Sequence, residues 1–132
     1  MAGEINLRKL IRQMTPILNH GYYVFVTVKD VSVISREDTI CEFKEKEGTT
    51  IVIDKNKADS LGFKYDFIAA WITLKIHSSL EAVGLTAVFS TELAKHDISC
   101  NVIAGYYHDH IFVAKEDSSK AFKVLTSLSL NY

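Results

Sequence analysis

Residues 71–114, WITLKIHSSLEAVGLTAVFSTELAKHDISCNVIAGYYHDHIFVA, decide the fold. The run from Phe67 to Ile76 is strand-like, apolar at nearly every position to Trp71 and then alternating through Ile72, Leu74 and Ile76. A small polar loop, Ser78-Ser79-Leu80-Glu81-Ala82-Val83-Gly84, opens a helical stripe of Leu85, Val88, Phe89 and Leu93, with Thr91, Glu92 and Lys95 on the opposite face. Ile98–Ala104 and Ile111–Ala114 read as two further strands. Strand, glycine-bearing loop, helix, strand and strand is the frame of a small βαββαβ unit.

Working outward, Asp117 or Ser118 can cap a last helix carrying Ala121, Phe122, Leu125 and Leu128. Toward the N-terminus, Leu7, Leu10, Ile11, Met14 and Leu18 recur at steps of three and four, a helical face that Pro16 should kink or end near Thr15. Tyr22–Val28 is dense in aromatic and β-branched residues and reads as a buried strand. Ile40–Phe43 and Thr49–Ile53 form a hairpin around Glu47-Gly48, and Lys57–Leu61 makes one or two helical turns stopped by Gly62. Two halves of similar grammar meet near Phe63–Asp66, with no Pro/Gly/Ser-rich linker between them.

At 132 residues the chain forms one body or two very small units sharing a core. Fifteen basic and sixteen acidic residues leave a net charge of −1, so no global field attracts nucleic acid or an anionic membrane. No apolar run approaches a membrane span, and Met1-Ala2-Gly3-Glu4 lacks a basic leader, so a cytoplasmic protein is expected. Cys41 and Cys100 sit in apolar runs without CxxC spacing and read as buried free thiols.

The run from Ile72 to Val113 resembles the ACT domain of small tandem-ACT proteins related to the regulatory part of aspartokinases, and the same branch resembles cytosolic arginine-sensor proteins. Residues 1–64 resemble the degenerate first unit of that family only in their order of elements. The resemblance implies an α+β chain of two ferredoxin-like ACT units in tandem, residues 1–64 and 65–132, packed side by side with antiparallel sheets and helices on one face. It also implies a regulatory or sensor protein with no chemistry and no cofactor of its own, which binds a small amino-acid-like effector. That effector would lie at the unit interface, between the first loop of one unit and an adjacent strand, here Asn101, Val102 and Ile103. Any output would pass through a homodimer or a separate regulated protein.

The residues support a site of that kind. Backbone amides opening a helix have no intrahelical partner, so the turn at Gly84, Leu85 and Thr86 can bind a carboxylate, and glycine lets the ligand approach closely. The ammonium end would meet strand carbonyls of residues 101–104, or the carboxylate of Glu81 or Asp109. In the competing view the helix start is solvated or capped by Ser79, within the pair Ser78-Ser79.

His108 and His110 share a strand face and could chelate a metal, with Asp109 in support and His77 as a distant third ligand, which would make a metal-binding protein or metal-dependent enzyme. They could instead recognise the effector or brace the strand corner through hydrogen bonds. A purely structural association module is the remaining alternative. No nucleophile elbow and no phosphate-binding glycine loop is present, and Cys100 reads as an inert core thiol. Tyr106 and Tyr107 are expected at a unit interface rather than on a ligand.

Overall fold

The computed structural model describes residues 6–76 and 82–132. In chain order the elements are α1 (Leu7–Gln13), β1 (Thr15–Leu18), β2 (Tyr23–Val28), β3 (Cys41–Lys44), β4 (Thr49–Asp54), α2 (Lys55–Ser60), β5 (Ile68–Lys75), α3 (Leu85–Lys95), β6 (Asn101–Ala104), β7 (Asp109–Ala114) and α4 (Ser118–Asn131). By packing, the chain divides into one unit of His20–Ala69 and another of Met1–Asn19 with Ala70–Tyr132, so the boundary falls inside β5. This grouping differs from linear halves at 64 and 65, because the first elements pack with the last ones.

In the unit of residues 20–69, β3, β4 and β2 lie in that order and run antiparallel, and Val24 and Tyr23 of β2 pair with Ile68 and Ala69. Val24 faces Ile53 and Val26 faces Ile51 across the ladder, which aligns their side chains on the face that forms the core with Val28, Ile34 and Ala58. Asp54 caps α2 by accepting from the Lys57 amide at 3.2 Å, and Gly62 follows at φ +74°. Between β2 and β3 there are only two three-residue 3-10 turns, Val31–Val33 and Arg36–Asp38, capped by Asp30 and Ser35. No continuous apolar stripe exists there to stabilise a longer helix.

The second unit has the strand order β1-β5-β7-β6. β1 pairs antiparallel with β5 from Thr15↔Lys75 to Leu18↔Ile72, and β6 pairs with β7 from Asn101↔Phe112 to Ala104↔Asp109. Contacts between β5 and β7 step in opposite directions, Trp71 and Thr73 meeting His110 while Ile76 meets His108, so this pair is antiparallel too. Helices α1, α3 and α4 cover one face. Leu10, Ile11, Met14, Leu85, Phe89, Leu93 and Leu125 pack there on Ile72, Leu74, Ile76, Ile111 and Val113, and each such burial contributes roughly 1.5–3 kcal/mol.

A βαββαβ unit needs a strand after its second helix, but here β1 fills that place. Asn6 caps α1 by accepting from the Lys9 amide at 3.0 Å, and the helix ends at Gln13 because Pro16 forces the preceding chain to extend. Leu18, expected on the helical stripe, is therefore a strand residue. Proline is tolerated in β1 because that strand pairs on one side only. The strand expected from Ile98 begins only at Asn101, after the left-handed turn residue Asp97 at φ 62°. Tyr106 and Tyr107, expected at an interface, are 65% and 66% exposed on the β6–β7 turn and meet edge to face.

Candidate functional site

The first turn of α3 is the candidate place for an anion in the second unit. Gly84 occupies the N-cap position at φ +93°, and its carbonyl accepts from the Val88 amide at 3.0 Å, closing the turn. Among the described residues no side chain caps this helix, and its first turn carries no acidic group. The amides that follow Gly84 therefore point out of the helix start with the positive end of the helix dipole behind them. Leu85 is buried and anchors the turn, while Thr86 is exposed. A Cβ at position 84 would stand a tight 3.2 Å from Leu7 Cδ2 of α1, and the dihedral at φ +93° itself favours glycine. Ser78, Ser79 and Glu81, together with His77, lie outside the described residues.

Asp109 opens β7 and is 8% exposed. Burial pushes its carboxyl pKa up, and the neighbouring His108 pulls it partly back. His108 itself sits at the end of β5, its Nδ1 3.3 Å from the Ile76 amide and 3.4 Å from the Ile76 carbonyl. The ring can thus accept from the amide when Nδ1 is bare, or donate to the carbonyl when it is protonated.

Asn101, Val102 and Ile103 lie on β6, the last strand of the order, so its outer edge carries backbone groups open to a ligand. Their side chains divide between two faces. Val102 packs toward the helices, as Asp109 does by its odd position beside Ile111 and Val113. Asn101 and Ile103 are opposite Phe112 and His110 on the other face, where the Asn101 amide donates to the Phe112 carbonyl at 3.3 Å. Of the residues singled out from sequence, Gly84, Leu85, Thr86, Val102 and Asp109 share the helix side; Asn101, Ile103 and His110 do not.

His110 is built into the sheet. The Trp71 indole Nε1–H donates to His110 Nδ1 at 3.0 Å, and Thr73 Oγ1 lies 3.2 Å from the same nitrogen. The Asn19 amide donates to Thr73 Oγ1 at 2.9 Å and to the Trp71 carbonyl at 3.2 Å. Trp71 also stacks on Phe112, with ring centroids 6.1 Å apart and planes 22° from parallel. Nδ1 is therefore engaged, and among the described residues no three His, Cys, Asp or Glu side chains come together to hold a metal. The sequence offered a signal for this network: Trp71 and Thr73 alternate with the core residues Ile72 and Leu74 and so belong to the opposite face. Asn19 offered none, since its place depends on β1.

Two further concavities were not legible in the sequence. One of about 450 Å³ lies between α3 and α4, where Glu92, His96, Lys123 and Ser127 surround Val124 and Leu128. The other, about 270 Å³, lies in the first unit among Thr27, Thr50, Lys64, Tyr65 and Asp66.

Models of the ACT domain match this chain twice, at residues 2–70 and at residues 67–127. Among solved structures, a protein of unknown function from Vibrio cholerae, described as a possible transport protein, is 45% identical over 93% of this chain and 95% of its own, with a TM-score of 0.80. The ligand-free regulatory subunit of aspartate kinase from Thermus thermophilus shares the fold at 9% identity, over 87% of this chain and 97% of its own, with a TM-score of 0.64. An aspartokinase structure of alpha and beta subunits is similar in fold at 12% identity, over 91% of this chain and all of its own, with a TM-score of 0.61. None of the curated proteins matches the chain.

Proposed function

This chain belongs to the ACT-domain family, carrying two such domains in succession, and on that premise we propose that it is an amino-acid sensor whose effector binds at the start of α3. ACT domains are regulatory rather than catalytic, and a small-molecule-binding regulatory role follows for this chain from its two matches and from the aspartokinase regulatory fold it shares. No helix among the described residues is long and apolar enough to cross a membrane.

The observation that carries the finer reading is the first turn of α3, with glycine at its N-cap, no acidic residue and no capping side chain among the described residues. Its amides would take the effector's carboxylate. Asp109, nearly buried at the head of β7 on the same side of the sheet, would take the ammonium, because an adjacent cation offsets the cost of burying a carboxylate. The edge carbonyls of β6 offer a second partner for that ammonium. Backbone contacts of this kind recognise the head shared by all amino acids.

A thermal-shift panel of the twenty amino acids tests this. An effector at 100 times its dissociation constant adds ~2.7 kcal/mol to stability. The expected result is a marked shift with one amino acid or a few related ones, weakened in Asp109→Asn. Silence across the panel would favour the association module.

A further inference from the structure

The Trp71–His110 contact joins β5 to β7 on the face that the helices leave uncovered, and its chemistry is one-directional. An indole nitrogen only donates, so the bond requires a bare Nδ1 and fixes the neutral ring as the Nε2–H tautomer. Thr73 can serve either ring state, because a hydroxyl both donates and accepts. Trp71 cannot: a proton on Nδ1 would place two donors head to head.

We propose that the Trp71–His110 bond is a proton-operated latch, closed when His110 is neutral and opened when His110 takes up a proton on Nδ1. Opening breaks the bond of the indole to His110 while the Asn19–Thr73–His110 path remains, so the change is centred on Trp71 and its stack with Phe112. The surroundings set the sign. β5 brings one charged group, Lys75, two residues beyond Thr73; β1 and β6 bring none; the turn before β7 brings His108, Tyr106 and Tyr107; and Asp109 points to the other face. Burial, and then the charge of His108, both work against a second positive charge at His110. Gly105 packs close to the ring, where an added Cβ would stand 3.2 Å from Nε2.

Trp71 is the sole tryptophan, so one indole resonance and one fluorophore report the latch. Nitrogen-15 and proton NMR of the full chain, titrated from about pH 8 to about pH 5, read the His110 tautomer and the indole N–H together. At high pH, His110 should be the Nε2–H tautomer with a hydrogen-bonded indole proton. On acidification the indole resonance should shift toward its solvent-exposed position in step with His110, at a midpoint below the ordinary value of about 6.5.

In His110→Gln, whose carbonyl accepts but does not titrate, the indole should stay bonded and the transition vanish. In His108→Gln the transition should remain and its midpoint rise. A Nδ1–H tautomer at high pH, an indole resonance that ignores His110 titration in the unaltered chain, or a transition that persists in His110→Gln would each overturn the latch.

Discussion

Ile17 of β1 stands opposite Thr73 of β5 in an antiparallel ladder, so a strand read from the beginning of the chain completes the sheet of the unit that ends it. Packing extends the same relationship, because Leu10, Ile11 and Met14 are almost wholly buried in the core formed with α3, α4 and β5.

A fragment of residues 65–132 therefore lacks one strand and one helix of its own unit. It is expected to melt without cooperativity by circular dichroism, whereas the full chain should show a single sharp transition. In the full chain, Leu10→Ala should cost about 2–5 kcal/mol in urea unfolding. A fragment as stable as the whole would mean that β1 and α1 are dispensable.

Replacing Gly84 by alanine forces a side chain into the left-handed region at φ +93° and against Leu7. The expected loss is about 1–2 kcal/mol from the dihedral. Part of the loss should return in the double variant Gly84→Ala, Leu7→Ala relative to Leu7→Ala alone, since the contact with Leu7 is then relieved. Equal losses in both backgrounds would show that only the dihedral matters.

Asp109→Asn separates stability from binding. The Asp109 pKa is raised mainly by burial, so over the range between the ordinary carboxylate value and the raised one the folded chain holds more protons than the unfolded chain. Its contribution to stability consequently falls as pH rises through that window. Asparagine removes this slope, and the thermal midpoint near neutral pH should rise by a few degrees. Affinity for the effector should drop in the same variant. A lower midpoint at neutral pH would contradict the burial cost.

Cys100 is half-buried, and burial pushes its thiol up to about 11. Only thiolate reacts, so alkylation of the folded chain by iodoacetamide near pH 8 should be roughly a hundredfold slower than in the unfolded chain. Mass spectrometry of partly modified protein checks this. Fast labelling of Cys100 would show that the strand region opens readily.

The helices α3 and α4 were legible because their apolar residues recur along a single segment, a pattern set by helix geometry alone. The β3–β4 hairpin was legible for the same local reason, through its turn and its alternation. Leu18 was misplaced because its spacing suits a helix, and only the pairing of Leu18 with Ile72 makes it a strand residue. Asn101, Ile103 and Asp109 were all candidates for one ligand, yet the β6–β7 register sends the Asn101 and Ile103 side chains to the face opposite Asp109. His108 and His110 left three readings open, a metal pair, an effector contact or a hydrogen-bonded brace, because the partners that engage one nitrogen of each ring come from β5 and the residue just beyond it.

The amino-acid order by itself determined which segments coil and which extend, because these depend on contacts a few residues apart, and its resemblance to ACT domains implied two units in succession. Tertiary structure alone decided which unit residues 6–19 complete, which side of the sheet Asn101, Ile103, Asp109 and His110 face, and which nitrogen of His110 accepts from Trp71. Those outcomes are set by hydrogen-bond ladders and buried contacts between distant segments, whose register no local pattern encodes.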